Sequence, residues 1–205
     1  MTKEKLADRI KQLVNITQTL LFYSDKFREL YDKYLPATAM ERQRYGTSEI
    51  SMAIRFLHCS LFYDVLLNLN TMLSPIQKDP DKKEQSLFEL IDLETNQLKK
   101  ENLLSKANEF RKQLEENNLH KWRNKLVGHK DIENAGDTVV MYLNFIKIDI
   151  IKFSEDLINQ IDDFINNNYD VAYNNTFSQM YSRSFEKMID LFEQELKKMV
   201  QNHDF

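Results

Sequence analysis

Glycine and proline are scarce, with three of each in 205 residues. A sandwich or barrel turns its chain every few residues, and so few punctuating residues exclude that kind of fold. Cysteine is scarcer still, with Cys59 alone. One thiol excludes an internal disulfide framework and fits a reducing compartment. No stretch approaches the ~20 uninterrupted apolar residues of a membrane span. The start, Met1-Thr2-Lys3-Glu4-Lys5, leads into a charged amphipathic pattern with no apolar signal core. The expectation is a cytoplasmic protein without membrane contact, whose sequons at Asn15 and Asn174 are accidental. A strong charge of one sign is also lacking: 28 Lys and Arg against 32 Asp and Glu leave a net charge of -4. That balance argues against broad coating of a nucleic acid and leaves room for a local basic patch.

What the chain does hold is helix-forming residues, with Leu, Lys, Glu, Gln, Met and Ile dominant. Its length suits one domain with a full core. The expected class is all-α, an antiparallel bundle of about five to six helices. Leu6, Ile10, Leu13, Thr17, Leu20 and Leu21 recur at helical spacing and predict a first helix over about Lys3 to Tyr34, ended by Pro36. Thr47 or Ser48 is placed to cap a second helix running to about Leu73. That helix is apolar nearly all round, a pattern that belongs at a bundle centre or an oligomer interface. Its exceptions, Arg55, His58 and Asp64, need partners if buried, and Arg55 and Asp64 are candidates for a structural ion pair. A third helix is expected over about Gln85 to Glu116 from the apolar stripe Leu87, Leu90, Ile91, Leu98, Leu103, Leu104 and Phe110, then a short fourth from Leu119 to about Val127 and a loop over Asp131 to Thr138. A fifth runs from about Leu143 to Asn167 and a last from about Thr176 to Gln201. The Asn166-Asn167-Asn168 tract reads as a hinge, dividing a bundle over residues 1–170 from a C-terminal amphipathic helix over 171–205. The last helix carries a stripe of Phe185, Met188, Phe192, Leu196 and Met199, suited to core or to a partner.

Several usual sites are missing. There is no glycine-rich phosphate loop, no His-Glu-x-x-His and no Cys/His cluster, so no metal and no cofactor is expected. What remains is Leu119-His120-Lys121-Trp122-Arg123-Asn124-Lys125-Leu126-Val127-Gly128-His129-Lys130-Asp131. On a helix, Leu119, Trp122, Leu126 and His129 fall along one side, which places His129 at the margin of the core. Arg123 lies about 120° round the axis from His129. The two converge only through a long Arg reach, a bend at Gly128 or a second subunit. The plainer reading makes Gly128 the residue that ends a short helix and His129 a satisfied, half-buried side chain.

The string Arg123-Asn124-Lys125-Leu126-Val127-Gly128-His129 resembles the signature of the HEPN superfamily: an arginine, an adjacent polar residue, a short spacer and a histidine. With Lys130 and Asp131 it is most similar to the AbiU2-like branch of abortive-infection and toxin-type proteins, with Gly128 where alanine is more usual. The resemblance covers about residues 1–170, with long helices before the motif and another after it. It implies a HEPN-like helical bundle acting as a homodimer and, in many members, a metal-independent ribonuclease of phage defence or a toxin–antitoxin pair. The implied partners are an RNA substrate and a cognate antitoxin or nucleotidyltransferase. Arg123, Asn124 and His129 would then be catalytic, Lys121, Lys125 and Lys130 would contact RNA, and Asp64 and Asp131 would orient the site from behind.

These residue types suit that chemistry. RNA is cut by attack of its own 2′-hydroxyl on the adjacent phosphate, which needs a proton-transfer group near neutral pKa and a fixed positive charge. A histidine supplies the first and an arginine the second. Lys99, Lys100, Lys106, Arg111 and Lys112 precede the motif in a basic row. That row reads either as an RNA contact or as an ordinary solvated charged face. Two other readings compete with the ribonuclease. One is a non-catalytic helical module that binds RNA, a nucleotide or a protein. The other is a structural protein whose last helix docks a partner.

Overall fold

The computed structural model describes residues 2–34, 49–76, 85–117, 119, 146–171 and 176–202, with the side chains of 176–178 and 199–202 excepted. Every regular element among them is helical: α1 Lys3–Tyr34, α2 Glu49–Met72, α3 Leu87–Asp92, α4 Gln97–Glu116, α5 Ile148–Asn168 and α6 Thr176–Asn202. The all-α class is as expected. Thr47, Ser48, the charged run 78–84, the short fourth helix beyond Leu119 and the loop at Asp131 to Thr138 lie outside the described residues.

The centre of the bundle is α1. Leu6, Ile10, Val14, Leu21, Phe27 and Leu30 are buried along it, and it packs against α2, α3, α5 and α6. Bonds to each neighbour set the directions. Ser24 meets His58 and Tyr31 meets Arg55, so α2 runs antiparallel. Lys11 pairs with Asp162, and Gln18 bonds Asn159 at 3.2 Å, so α5 is antiparallel too. Tyr23 donates to Glu186 at 3.1 Å and Lys33 to Glu193 at 2.7 Å, which makes α6 parallel to α1.

Of the two places its composition suggests, a bundle centre or an oligomer interface, α2 does not take the first among the described residues. It buries Ile54, Leu61, Phe62, Val65, Leu66 and Leu69, yet Phe56 is 57% and Met52 43% exposed. By length and composition α2 could cross a membrane, with a mean hydropathy of 1.4 over an 18-residue window. In the fold it instead lays one face along α1. Burial follows the number of packed neighbours, and among the described residues the more polar α1 has more of them.

The expected third helix is two helices. α3 ends at Asp92, and the chain turns through Leu93 to Thr95 before α4 begins. Two caps explain the break. Ser86 accepts the Glu89 N–H at 3.3 Å and Asn96 accepts the Lys99 N–H at 2.9 Å, each from an extended cap residue. Glu94 holds the turn, lying 2.9 Å from Lys3 and 3.4 Å from Lys99. The Lys3 ammonium, ahead of Lys99, keeps its carboxyl below the ordinary range. The break resets the helical phase, so Leu98, read as part of an apolar stripe, is 70% exposed. Asn96→Ala should destabilise the fold by ~1 kcal/mol while Leu98→Gln stays within ~0.5 kcal/mol of neutral, both read from urea midpoints. A larger loss at Leu98 than at Asn96 would contradict this reading of the turn.

Described α5 starts at Ile148, later than expected, because Ile146 and Lys147 are not helical; Leu143 to Phe145 lie outside the described residues. The asparagine tract is helical. Asn166 to Asn168 form the last helical turn, with Asn168 donating to the Phe164 carbonyl at 2.8 Å, and the helix breaks at Tyr169. The α6 stripe packs on α1: Phe185 and Phe192 meet Phe27 edge-on at 6.5 and 6.2 Å, and Leu196 is buried. Met199 lies where side chains are not described. Beyond the stripe, the Lys33 ammonium and then the Tyr34 hydroxyl hold the Glu193 carboxyl down to about 2.

Candidate functional site

Of the site residues read from the sequence, Asp64 alone is described. Lys121, Arg123, Asn124, Lys125, His129, Lys130 and Asp131 lie outside the described residues, as do Trp122, Leu126 and Gly128. What the structure defines is where the segment that carries them joins the bundle. Leu119, on one side, is fully buried in the common core; Ile146, on the other, is 6% exposed in the same core. The apolar side expected for Leu119 thus begins in the interior.

Ile146 is also fixed by a hydrogen bond. Its N–H donates to Nε2 of His58 at 3.0 Å. Nδ1 of the same ring lies 2.8 Å from the Ser24 carbonyl. An acceptor at Nε2 and a donor at Nδ1 define one neutral tautomer. The Ser24 hydroxyl donates to the His58 carbonyl at 3.0 Å and closes the contact between α1 and α2. The ring is fully buried. Burial, the leading cause, pushes its pKa below the ordinary 6.5, against the opposing effect of the Ser24 carbonyl. The sequence showed His58 as a polar exception on an apolar helix; its partners in α1 and at Ile146 had no sequence signal.

Arg55 and Asp64 do not form the ion pair that their shared helix suggested. Nine residues separate them, about 13 Å along the axis and half a turn around it. Arg55 instead donates to the Tyr31 hydroxyl at 2.6 Å and lies over that ring at 5.0 Å. Asp64 faces solvent, where desolvation by its apolar surroundings raises its carboxyl pKa. No described residue bonds to it.

The basic row before the motif is electrically quenched. Lys99 lies against Glu94, Lys100 against Asp92, Lys106 against Glu109, Arg111 against Glu115 and Lys112 against Glu116. Three of these contacts run along α4 between solvent-exposed side chains, the pattern of a solvated charged face. A cleft of about 340 Å³ opens between α1 and α5 over a floor of Leu21, Ile151 and Ile158. Its rim carries Asp25, Glu29 and Glu155 against Lys26, so it repels a phosphate backbone. Among the described residues no three His, Cys, Asp or Glu side chains converge on a point that could hold a metal ion.

Compared with known protein families, curated proteins and solved structures, the chain matches none.

Proposed function

We propose that the protein is a metal-independent endoribonuclease of the HEPN type, working as a homodimer in phage defence or a toxin–antitoxin response. The observation that carries this reading is the string Arg123-Asn124-Lys125-Leu126-Val127-Gly128-His129, set between two long helices of an all-helical chain. His129 moves the proton of the attacking 2′-hydroxyl or of the leaving 5′-oxygen. Arg123 presents paired N–H donors to the developing phosphorane. Asn124 orients the phosphate or one of these groups, and Lys121, Lys125 and Lys130 hold the RNA backbone. Asp131 lies downstream to orient His129. Since Arg123 and His129 are offset around a straight helix, a second subunit completing the site is part of the proposal. A cognate antitoxin or nucleotidyltransferase would restrain the activity.

The ion pairs along α4 weaken an RNA contact there, and the second reading is a non-catalytic helical module that binds RNA, a nucleotide or a partner protein. The two separate cleanly in one assay. Purified protein is incubated in EDTA with end-labelled single-stranded RNA and with DNA of the same sequence. The ribonuclease reading expects RNA fragments ending in 2′,3′-cyclic phosphate and 5′-hydroxyl, with the DNA intact because it has no 2′-hydroxyl. Binding without cleavage, or cleavage that stops with EDTA, overturns it.

A further inference from the structure

The cleft between α1 and α5 has an apolar floor of Leu21, Ile151 and Ile158. From Gln18 to Glu29 it follows α1 for about 16 Å, or about three helical turns. Gln18 donates to Asn159 at 3.2 Å and bridges the two helices at one end. Phe22 stands on the α1 side with 54% of its surface exposed. An aromatic ring left this open beside a concave apolar floor is an anchor point for a partner. We propose that the cleft docks a basic amphipathic helix of a partner protein, its apolar face on Phe22 and the floor and its basic residues on Glu155. This docking does not depend on the ribonuclease reading.

Charge selects the occupant. Asp25 lies 2.8 Å from Arg28 and Glu29 2.6 Å from Lys26, so these two rim carboxylates are balanced within α1. Glu155, on the α5 side, is exposed, and no described residue bonds or pairs with it. Beyond it along α5 the exposed Asp149, Asp156 and Asp163 stand against Lys152. The α5 side of the cleft therefore attracts a cation and repels a polyanion. Lys26 displays the matching chemistry within the chain, its ammonium 5.4 Å from the centre of the Phe22 ring while it pairs with Glu29. A lysine or arginine of a partner brings the same parts, an apolar stem for the floor and a charged head for Glu155.

Shape selects its form. A groove between two packed helices matches the apolar face of one more helix, which fills it with anchors spaced i, i+3 or i+4, and i+7. The volume of about 340 Å³ lies at the small end for a site that encloses an organic ligand, whereas a helix needs room for only a few side chains. The described basic helix of this chain does not fit the role: Lys106, Arg111 and Lys112 of α4 are paired with acids of their own helix. A separate protein is the better source of an unpaired basic face.

The test uses a pair of fluorescein-labelled peptides of about four helical turns, each with leucine along one face. One carries lysine and arginine on the other face, and its twin carries glutamate there. Fluorescence anisotropy with the full chain should show the basic peptide binding about tenfold or more tighter than its twin, the gap closing as salt rises. Phe22→Ala should weaken the basic peptide about tenfold, and Glu155→Lys about fivefold. Both side chains are exposed, so both variants should keep the melting temperature of the unmodified protein. A basic peptide that does not bind, or that binds both variants as tightly as the unmodified protein, overturns the proposal. Equal binding of the two peptides overturns it too. A dimer that dissociates on either substitution, seen by sedimentation velocity, would give the cleft to a second copy of this chain and overturn it as well.

Discussion

His129→Ala should lower RNA cleavage by ~100- to 10,000-fold, the range for removing a general acid or base. Arg123→Ala should lose ~100- to 1,000-fold, as expected for a donor to transition-state charge. Both variants should keep the thermal unfolding of the unmodified protein, because neither role contributes to the core. The offset between the two residues adds a sharper test. If each site takes Arg123 from one subunit and His129 from the other, a heterodimer of the two variants contains one site with both residues intact. Mixing the inactive variants under conditions of subunit exchange should then restore part of the activity. No recovery in a verified heterodimer would place both residues of each site in a single subunit. Cleavage that survived either substitution alone would remove the catalytic assignment.

Phe27→Ala carries the largest expected effect on stability. Its ring is fully buried and stands edge-on to both Phe185 and Phe192, so it is the point where α6 is fastened to α1. Truncating a buried Phe leaves a cavity and removes transfer energy, together ~3–5 kcal/mol. For a domain of this size that corresponds to a drop in melting temperature of roughly 6–20 °C. On the outer face of α6, Leu191 is 63% exposed, and Leu191→Ala should change stability by no more than ~0.5 kcal/mol. Calorimetry on the two variants checks the contrast. Equal small effects would mean that α6 is an appendage rather than part of the core.

Read from the residues, the helices with an unbroken apolar period came through well. α1, α2 and α6 begin and end within a few residues of expectation, because period and capping are local properties of the chain. The break between α3 and α4 was legible in principle. Ser86 and Glu89 have capping-box spacing and Asn96 is a strong cap residue, yet Leu87, Leu90, Ile91, Leu98 and Leu103 still read as one continuous stripe. The asparagine tract, read as a hinge, instead forms the last turn of α5, its side chains bonding back to Asp162 and Phe164. The basic row was visible as residues, but its neutralisation by Glu94, Asp92, Glu109, Glu115 and Glu116 needed side-chain positions.

The sequence by itself determined the all-helical class, the faces of most helices and the Arg123–His129 string on which the ribonuclease proposal rests, since each depends only on residue type and spacing. Tertiary structure decided what depends on elements distant in the chain. It made the modestly apolar α1 the centre in place of the more apolar α2, because burial is set by the number of packed neighbours. It seated the α6 stripe on Phe27, with Leu196 buried and Phe185, Met188 and Phe192 half-buried against the core. It also joined His58 to Ser24, 34 residues away, and to Ile146, 88 residues away. No local pattern encodes a hydrogen bond of that separation, because it forms only when packing brings three segments to one buried ring.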